Sequence, residues 1–284
     1  MIIETTKSMK HLRIITLLGF GWAVFSFTSC NFTLEQKEQM IKSRNGKDYF
    51  RDSEKWGKVV TKTLELEPFA HIVMDGNADI DLRQGEDFSV EVTGNEKAIE
   101  ANDIKVEKAE KEGDNTLHVV AKDAPRNLPS IKLKIIVPNL RSVKVNGDGD
   151  LEIKGDDFFT GDLDIEINGD GDFEAPHVDC AKLNIIINGD GDVVAKKFNC
   201  EDVTIQMDGN GDITTDLKAN NINLQLTSDG EANLDVKCDN LIVSAGGSGD
   251  VKLKGKCHNL TKQSFGKASL DSRRLQVTGN IKIQ

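Results

Sequence analysis

The chain is poor in aromatic residues and in basic charge. Aromatic side chains make up 5% of its 284 residues, with 2 Trp and 1 Tyr, and 36 Lys and Arg stand against 47 Asp and Glu. The resulting net charge of −11 argues against nucleic acid as a partner, because phosphate backbones are bound by basic surfaces. The shortage of aromatics also leaves little surface for stacking against sugars.

Histidine and cysteine do not occur in any spacing typical of a metal or redox site. The five histidines are scattered, and the five cysteines include no Cys-x-x-Cys pair. No nucleophile and base stand out as a pair, so we expect no catalysis. The enzymatic alternative is a calcium-dependent polysaccharide lyase or hydrolase, which rests on analogy with pectate-lyase-like β-helices alone.

One five-residue corner repeats along the second half of the chain. Asn188 to Asp192 reads Asn-Gly-Asp-Gly-Asp, and the same five residues stand at 146–150 and 168–172. Degraded copies begin at 208, 227, 246 and 265, so successive copies start 22, 20, 20, 19, 19 and 19 residues apart. Such a period predicts an all-β solenoid of about 20-residue rungs.

Apolar and polar residues alternate on both sides of each corner, as in Leu183, Ile185 and Ile187. This pattern predicts strands with one buried face, and stacking of about seven rungs would make a continuous core. Because Asn and Gly tolerate positive φ, we expect the glycines to provide the sharp corner. The predicted corner glycines are Gly147, Gly149, Gly169, Gly171, Gly189, Gly191, Gly209, Gly211, Gly247 and Gly249.

The first 29 residues are predicted to be a lipoprotein signal peptide. Three basic residues precede an apolar run from Ile14 to Phe27, and Phe27 to Cys30 resembles a lipobox. The run is shorter than the roughly 20 residues that a spanning helix needs. We therefore expect a mature chain that begins at a lipid-modified Cys30 and is anchored to a membrane by lipid. The alternative is an ordinary secretory signal.

The rest of the chain is predicted to form three segments. Residues 30–58 are polar and indicate a tether, residues 59–139 an N-terminal β-subdomain, and residues 140–284 a C-terminal solenoid. The N-terminal subdomain includes an early rung around the corner Asp75 to Asp79. Without residues 1–29 the chain keeps 33 basic and 46 acidic residues, a net charge of −13.

These features together resemble a known Bacteroidota family, the "putative auto-transporter adhesin, head GIN domain" family. The resemblance is carried by the lipobox, the early corner at Asp75, the approach Val137 to Leu140 and the repeated Gly-x-Gly-Asp corners. It covers roughly residues 65–284. It implies a right-handed parallel β-helix and brings no catalytic residues. The family corner Gly-Ser-Gly-Asp is matched only at Gly247 to Asp250.

Aligning the corners stacks acidic residues into two columns. Stacked carboxylates repel one another and need solvent, backbone N–H groups or cations beside them. The favoured interpretation is that each carboxylate accepts N–H bonds within its own corner. The alternative is a calcium site, and no other cofactor is expected. The predicted calcium ligands are Asp148, Asp150, Asp170, Asp172, Asp190 and Asp192.

The same alignment stacks Cys180, Cys200, Ala219, Cys238 and Cys257 in one column. Free, buried thiols are favoured, because directly facing residues of parallel strands seldom have disulfide geometry. The alternative in an oxidising compartment is a pair of disulfides, one joining the first two cysteines and one the last two.

Three functions remain open at this point. The favoured one is a noncatalytic adhesin-like or scaffolding lipoprotein that presents a rigid acidic solenoid to an envelope protein or a glycan. The second is a structural or regulatory envelope lipoprotein without a ligand, and the third is the lyase or hydrolase. The expected location is the cell envelope, at the outer membrane through the lipid on Cys30. The sequence decides neither the face of that membrane nor the oligomeric state.

Overall fold

The computed structural model describes residues 53–111, 113–121, 125 and 127–284. The predicted signal peptide, Cys30 and the tether up to residue 52 lie outside the described residues.

The described chain is built almost entirely from strands. Its two short helices are α1 (Ser53–Trp56) and α2 (Glu96–Glu100). The strands are β1 (Val59–Thr63), β2 (His71–Asp75), β3 (Asp79–Gln84), β4 (Ser89–Asn95), β5 (Asn102–Glu107), β6 (Thr116–Ala121), β7 (Lys132–Val137), β8 (Ser142–Val145), β9 (Leu151–Ile153), β10 (Asp157–Phe159), β11 (Asp162–Ile167), β12 (Phe173–Asp179), β13 (Lys182–Ile187), β14 (Val193–Asn199), β15 (Asp202–Met207), β16 (Ile213–Lys218), β17 (Asn221–Leu226), β18 (Glu231–Ala245), β19 (Asp250–Ser264), β20 (Ser269–Val277) and β21 (Ile281–Ile283).

Successive rungs stack in parallel, and this confirms the predicted β-solenoid, which has about 7 turns. One parallel ladder runs through β2, β8, β11, β13, β15 and β17 into the second half of β18. The other ladder runs through β3, β9, β12, β14 and β16 into the first half of β18. Each rung therefore gives one strand to each ladder, and its repeated corner joins the two.

The core lies between the two ladders. Inward residues fall in columns, so that Ile185 pairs in register with Ile205, and Ile205 with Leu224. All three are fully buried. Because neighbouring strands are about 4.8 Å apart, a column of branched aliphatic side chains fills the interior without gaps. The alternation read from the sequence thus produces one continuous apolar core.

Changes in the repeat length are absorbed in the second strand of a rung. The first spacing of 22 arises between Glu152 and Asp157, where β9 ends and β10 begins before both pair with β12. The change from 20 to 19 arises at a bulge in β14, where one extra residue lies between Val194 and Lys197. Corners stay in register because a bulge removes the mismatch locally.

The N-terminal region is an end of the same solenoid. β6 and β7 form a rung of their own, which stacks on β2 and β3 from the side opposite to β8 and β9. Antiparallel β5 and β4 then cover that rung, and β1 pairs with β4. Trp56 of α1 is buried, with 8% of its surface exposed. Residues 53–58 therefore belong to this end of the solenoid and not to a tether.

The described residues include no helix that is both long enough and apolar enough to span a membrane.

Candidate functional site

The corner carboxylates form a ladder that links successive rungs. Oδ1 of Asp150 accepts the backbone N–H of Asp172 at 3.1 Å, and Oδ1 of Asp172 accepts that of Asp192 at 2.8 Å. Oδ1 of Asp192 in turn accepts the N–H of Asp212 at 2.7 Å. The prediction that each carboxylate caps its own corner is therefore wrong about the partner. Each carboxylate reaches the corner N–H of the next rung, because stacked corners are one strand spacing apart.

The second acidic column faces solvent. Asp148, Asp170 and Asp190 are exposed, and Asp190 accepts a hydrogen bond from the Asn210 side chain at 3.1 Å. Among the described residues, no group of three or more His, Cys, Asp or Glu is arranged to share a metal ion. The six predicted calcium ligands lie in two separate columns. Calcium binding stays a prediction that only a titration can test.

Asparagines at the first corner position add a third ladder. The Asn168 side-chain amide donates to Oδ1 of Asn146 at 2.9 Å, and the Asn188 amide donates to Oδ1 of Asn168 at 2.8 Å. Each amide can donate to one neighbour and accept from the other, so the chain of bonds continues from rung to rung. These bonds between identical residues account for the repeated Asn at the first corner position.

The corner glycines are required for a reason that the sequence did not reveal. Of the ten predicted positions only Gly247 has a positive φ, 72°. At Gly191 an added Cβ would lie 2.1 Å from the carbonyl oxygen of Gly171 on the neighbouring rung. The other glycines of the repeated corner meet the same obstacle. At these glycines the backbones of stacked corners approach so closely that no side chain fits between them.

Four members of the cysteine column form the floor of a groove at the opposite edge of the rungs, namely Cys200, Ala219, Cys238 and Cys257. The groove has a volume of about 520 Å³ and extends from Asn199 to Thr278. Cys180 and Cys200 form a disulfide with a Cα separation of 4.8 Å, whereas Cys238 and Cys257 are free. The expectation of free thiols is therefore wrong for the first pair and agrees with the structure for the second.

The free thiols are chemically quiet in the folded protein. Cys238 and Cys257 are register partners on neighbouring rungs, and both are buried. Burial, with smaller contributions from Cys257 and Asp239, raises the pKa of Cys238 to about 12. Burial also raises the pKa of Cys257. Since the thiolate is the reactive form, neither side chain is suited to act as a nucleophile near neutral pH.

A serine and a histidine meet on the outer face of the first ladder, a contact that the sequence did not indicate. Nδ1 of His71 lies 2.7 Å from Oγ of Ser142, and its Nε2 lies 3.8 Å from Asp114, which also pairs with Arg141. Burial and the Arg141 charge lower the pKa of His71. The N–H of Ser142 donates to the Ala70 carbonyl at 3.3 Å. We interpret the contact as a cross-strand hydrogen bond.

The remaining described histidines are spread over the surface. His118 lies 3.2 Å from Glu107, His177 lies 2.8 Å from Asp157, and Nδ1 of His258 lies 3.1 Å from the Thr278 hydroxyl. Each of these histidines is thus engaged with a carboxylate or a hydroxyl group of a neighbouring strand or turn.

The stacked parallel coils and their side-chain ladders define the class of protein, a parallel β-solenoid. The chain belongs to the "putative auto-transporter adhesin, head GIN domain" family, which matches residues 68–215 and 205–284. The family description names an auto-transporter adhesin and no enzymatic activity.

Solved structures of low sequence identity share the fold. A putative adhesin from Parabacteroides distasonis has a TM-score of 0.61 at 19% identity, and one from Bacteroides fragilis has 0.53 at 22%. A putative lipid binding protein from Parabacteroides distasonis has a TM-score of 0.58 at 17% identity. Each comparison covers 80% of this chain and 97% of the other. No curated protein matches this chain.

Proposed function

We propose that this protein is a noncatalytic, adhesin-like binding module of the cell envelope. The observation that carries the proposal is the surface, where identical side chains repeat from rung to rung on a rigid frame, beside an open groove that runs along several rungs. Such a surface suits an extended partner with a repeating structure. The description of the family as an adhesin supports the same function.

The proposal includes attachment to the outer membrane through lipid on Cys30. It is supported by the lipobox of the sequence and by the acidic composition, which keeps the domain away from anionic headgroups. Replacing Cys30 with alanine should release the protein from membranes, because the lipid that holds it there would be attached to this residue. A variant that still sediments with membranes after a salt wash would contradict the anchor and leave the binding function standing.

Proximity labelling on intact cells tests the binding function directly. An enzyme that generates a short-lived biotin radical is fused after Gln284, at the end of the solenoid. We expect labelled envelope proteins that are absent when the fused protein lacks its signal peptide. Labelling of the same neighbours by a fusion without the solenoid would show that the module recruits nothing, and would favour a structural lipoprotein without a ligand.

A further inference from the structure

One wall of the cysteine groove is a ladder of lysines. Lys218 of β16 pairs in register with Lys237 of β18, and Lys237 pairs with Lys256 of β19. All three side chains are exposed and line the groove. Since the strands are about 4.8 Å apart, the three ammonium groups follow one another at the spacing of the rungs and span about 10 Å.

No described carboxylate lies within ion-pair distance of these three lysines. On the neighbouring outward positions, Lys252 lies 2.6 Å from Glu231 and Lys254 lies 3.1 Å from Asp235. Three stacked like charges repel one another, and the repulsion falls when anions lie between or beside them. On a chain with a net charge of −11, an uncompensated row of lysines is the exception.

The opposite wall and the floor complete the lining. Glu201, Asn220, Asp239 and His258 occupy equivalent positions on four consecutive rungs of that wall. Carboxylate, amide and imidazole groups can accept hydrogen bonds from hydroxyl groups. The floor is made of buried cysteine and alanine, which present no charge. The groove therefore has a cationic side and a hydrogen-bonding side that run in parallel.

We propose that this groove binds a linear acidic polysaccharide, with its carboxylates on the lysine ladder and its hydroxyl groups on the opposite wall. The inference rests on the proposed binding function and names its ligand class. The regular spacing of the lysines suits a polymer with a repeating negative charge. Glu201 and Asp239 repel any polyanion, and a polyphosphate or an acidic peptide offers few hydroxyl donors that could offset this repulsion. A polymer of uronic acids supplies both the anions and the donors.

Binding of defined polymers to the purified full-length protein tests the proposal. Polygalacturonate and alginate are the acidic probes, dextran is the neutral polymer, and poly-L-glutamate is an anionic polymer without hydroxyl groups. We expect both acidic polysaccharides to bind and their affinity to fall between about 0.05 M and about 0.5 M salt, because exposed charges are screened. Dextran should not bind, and poly-L-glutamate should bind at least about tenfold more weakly.

Matched variants locate the site. The triple substitution Lys218→Gln, Lys237→Gln and Lys256→Gln should weaken polygalacturonate binding by about tenfold or more. The control triple, Lys62→Gln, Lys182→Gln and Lys282→Gln, removes the same charge from exposed positions outside the groove and should bind as the wild type does. Melting curves of both variants check that the fold is retained.

Each contrary result overturns the inference in a different way. If both triple variants lose the same polygalacturonate affinity, the binding reflects net charge and not this groove. If poly-L-glutamate binds as tightly as polygalacturonate, sugar hydroxyl groups play no role. If the wild type binds neither acidic polysaccharide while labelling on cells still identifies envelope partners, the ligand class is wrong and the binding function stands. If the wild type binds neither polysaccharide and labelling identifies no envelope partner, the proposed binding function is wrong as well.

Discussion

Replacing Gly191 with alanine should destabilise the solenoid strongly. The new Cβ would lie 2.1 Å from the carbonyl oxygen of Gly171, whereas real Cβ atoms keep at least about 3.0 Å from such atoms. The rungs above and below hold both corners in place, so the overlap can be relieved only by separating stacked backbones and their hydrogen bonds. Overpacking costs typically about 1–3 kcal/mol, and a clash between two backbones should fall at or above the upper end.

Two further alanine substitutions separate the causes. Gly113 has φ of +82° and open space around its Cβ position, so Gly113→Ala measures the cost of the left-handed conformation alone, about 1 kcal/mol. Gly161 has open space and no left-handed φ, so Gly161→Ala should lie within about 0.5 kcal/mol of the wild type or stabilise slightly. The three substitutions add the same single methyl group.

Urea denaturation followed by circular dichroism gives the free energy of unfolding of each variant. The slope of that free energy with urea should stay unchanged, so that the midpoints can be compared directly. We expect the order wild type and Gly161→Ala, then Gly113→Ala, then Gly191→Ala. If Gly191→Ala is no less stable than Gly161→Ala, close stacking of the corners does not explain the glycine repeat.

Three further outcomes follow from the side-chain contacts. Asp192→Asn keeps an acceptor oxygen and should lower the free energy of unfolding by less than about 1 kcal/mol. Asp192→Ala should lower it by about 1–3 kcal/mol, because a corner N–H loses its partner. A melting temperature that rises when chelator is replaced by millimolar calcium would instead support the metal site. Alkylation of the denatured protein without reductant should modify Cys238 and Cys257 but neither cysteine of the disulfide, as intact mass would show; four modified thiols of the solenoid would contradict the disulfide. A hydrogen bond from Lys252 lowers the pKa of Glu231 below 4.5. The stabilisation by ionised Glu231 is therefore present above pH 4.5 and is lost as the pH falls through the lower folded-state pKa. Glu231→Gln should flatten the acid side of the profile of unfolding free energy against pH, and an unchanged profile would contradict this.

The rung pattern was predictable because it is local and repeated. Alternating apolar residues such as Leu183 and Ile185 identify strands whatever lies around them, and a fixed period makes stacking the only way to bury their apolar faces. The stacking of β6 and β7 on β2 and β3 was not visible in the sequence, because β6 pairs with β2 across more than 40 residues.

The candidate site was predicted only in part, because its chemistry depends on neighbours from different rungs. The alignment of corners placed the cysteines in one column, yet it could not decide which pair is joined. It also placed the aspartates correctly and assigned their hydrogen bonds to the wrong corner. The lysine ladder was missed although Lys218 and Lys237 directly precede members of the aligned cysteine column, because only the structure shows which lysines have a carboxylate partner.

The amino-acid sequence by itself determined the strands, the corners, the length of the repeat and the family, because each of these is written within about 20 residues of chain. The tertiary structure alone decided which atoms meet across rungs. It made glycine necessary at Gly191 through the oxygen of Gly171, and it joined Cys180 to Cys200. Such contacts depend on distances of a few ångströms between segments one rung apart, and these distances are fixed only when the rungs stack.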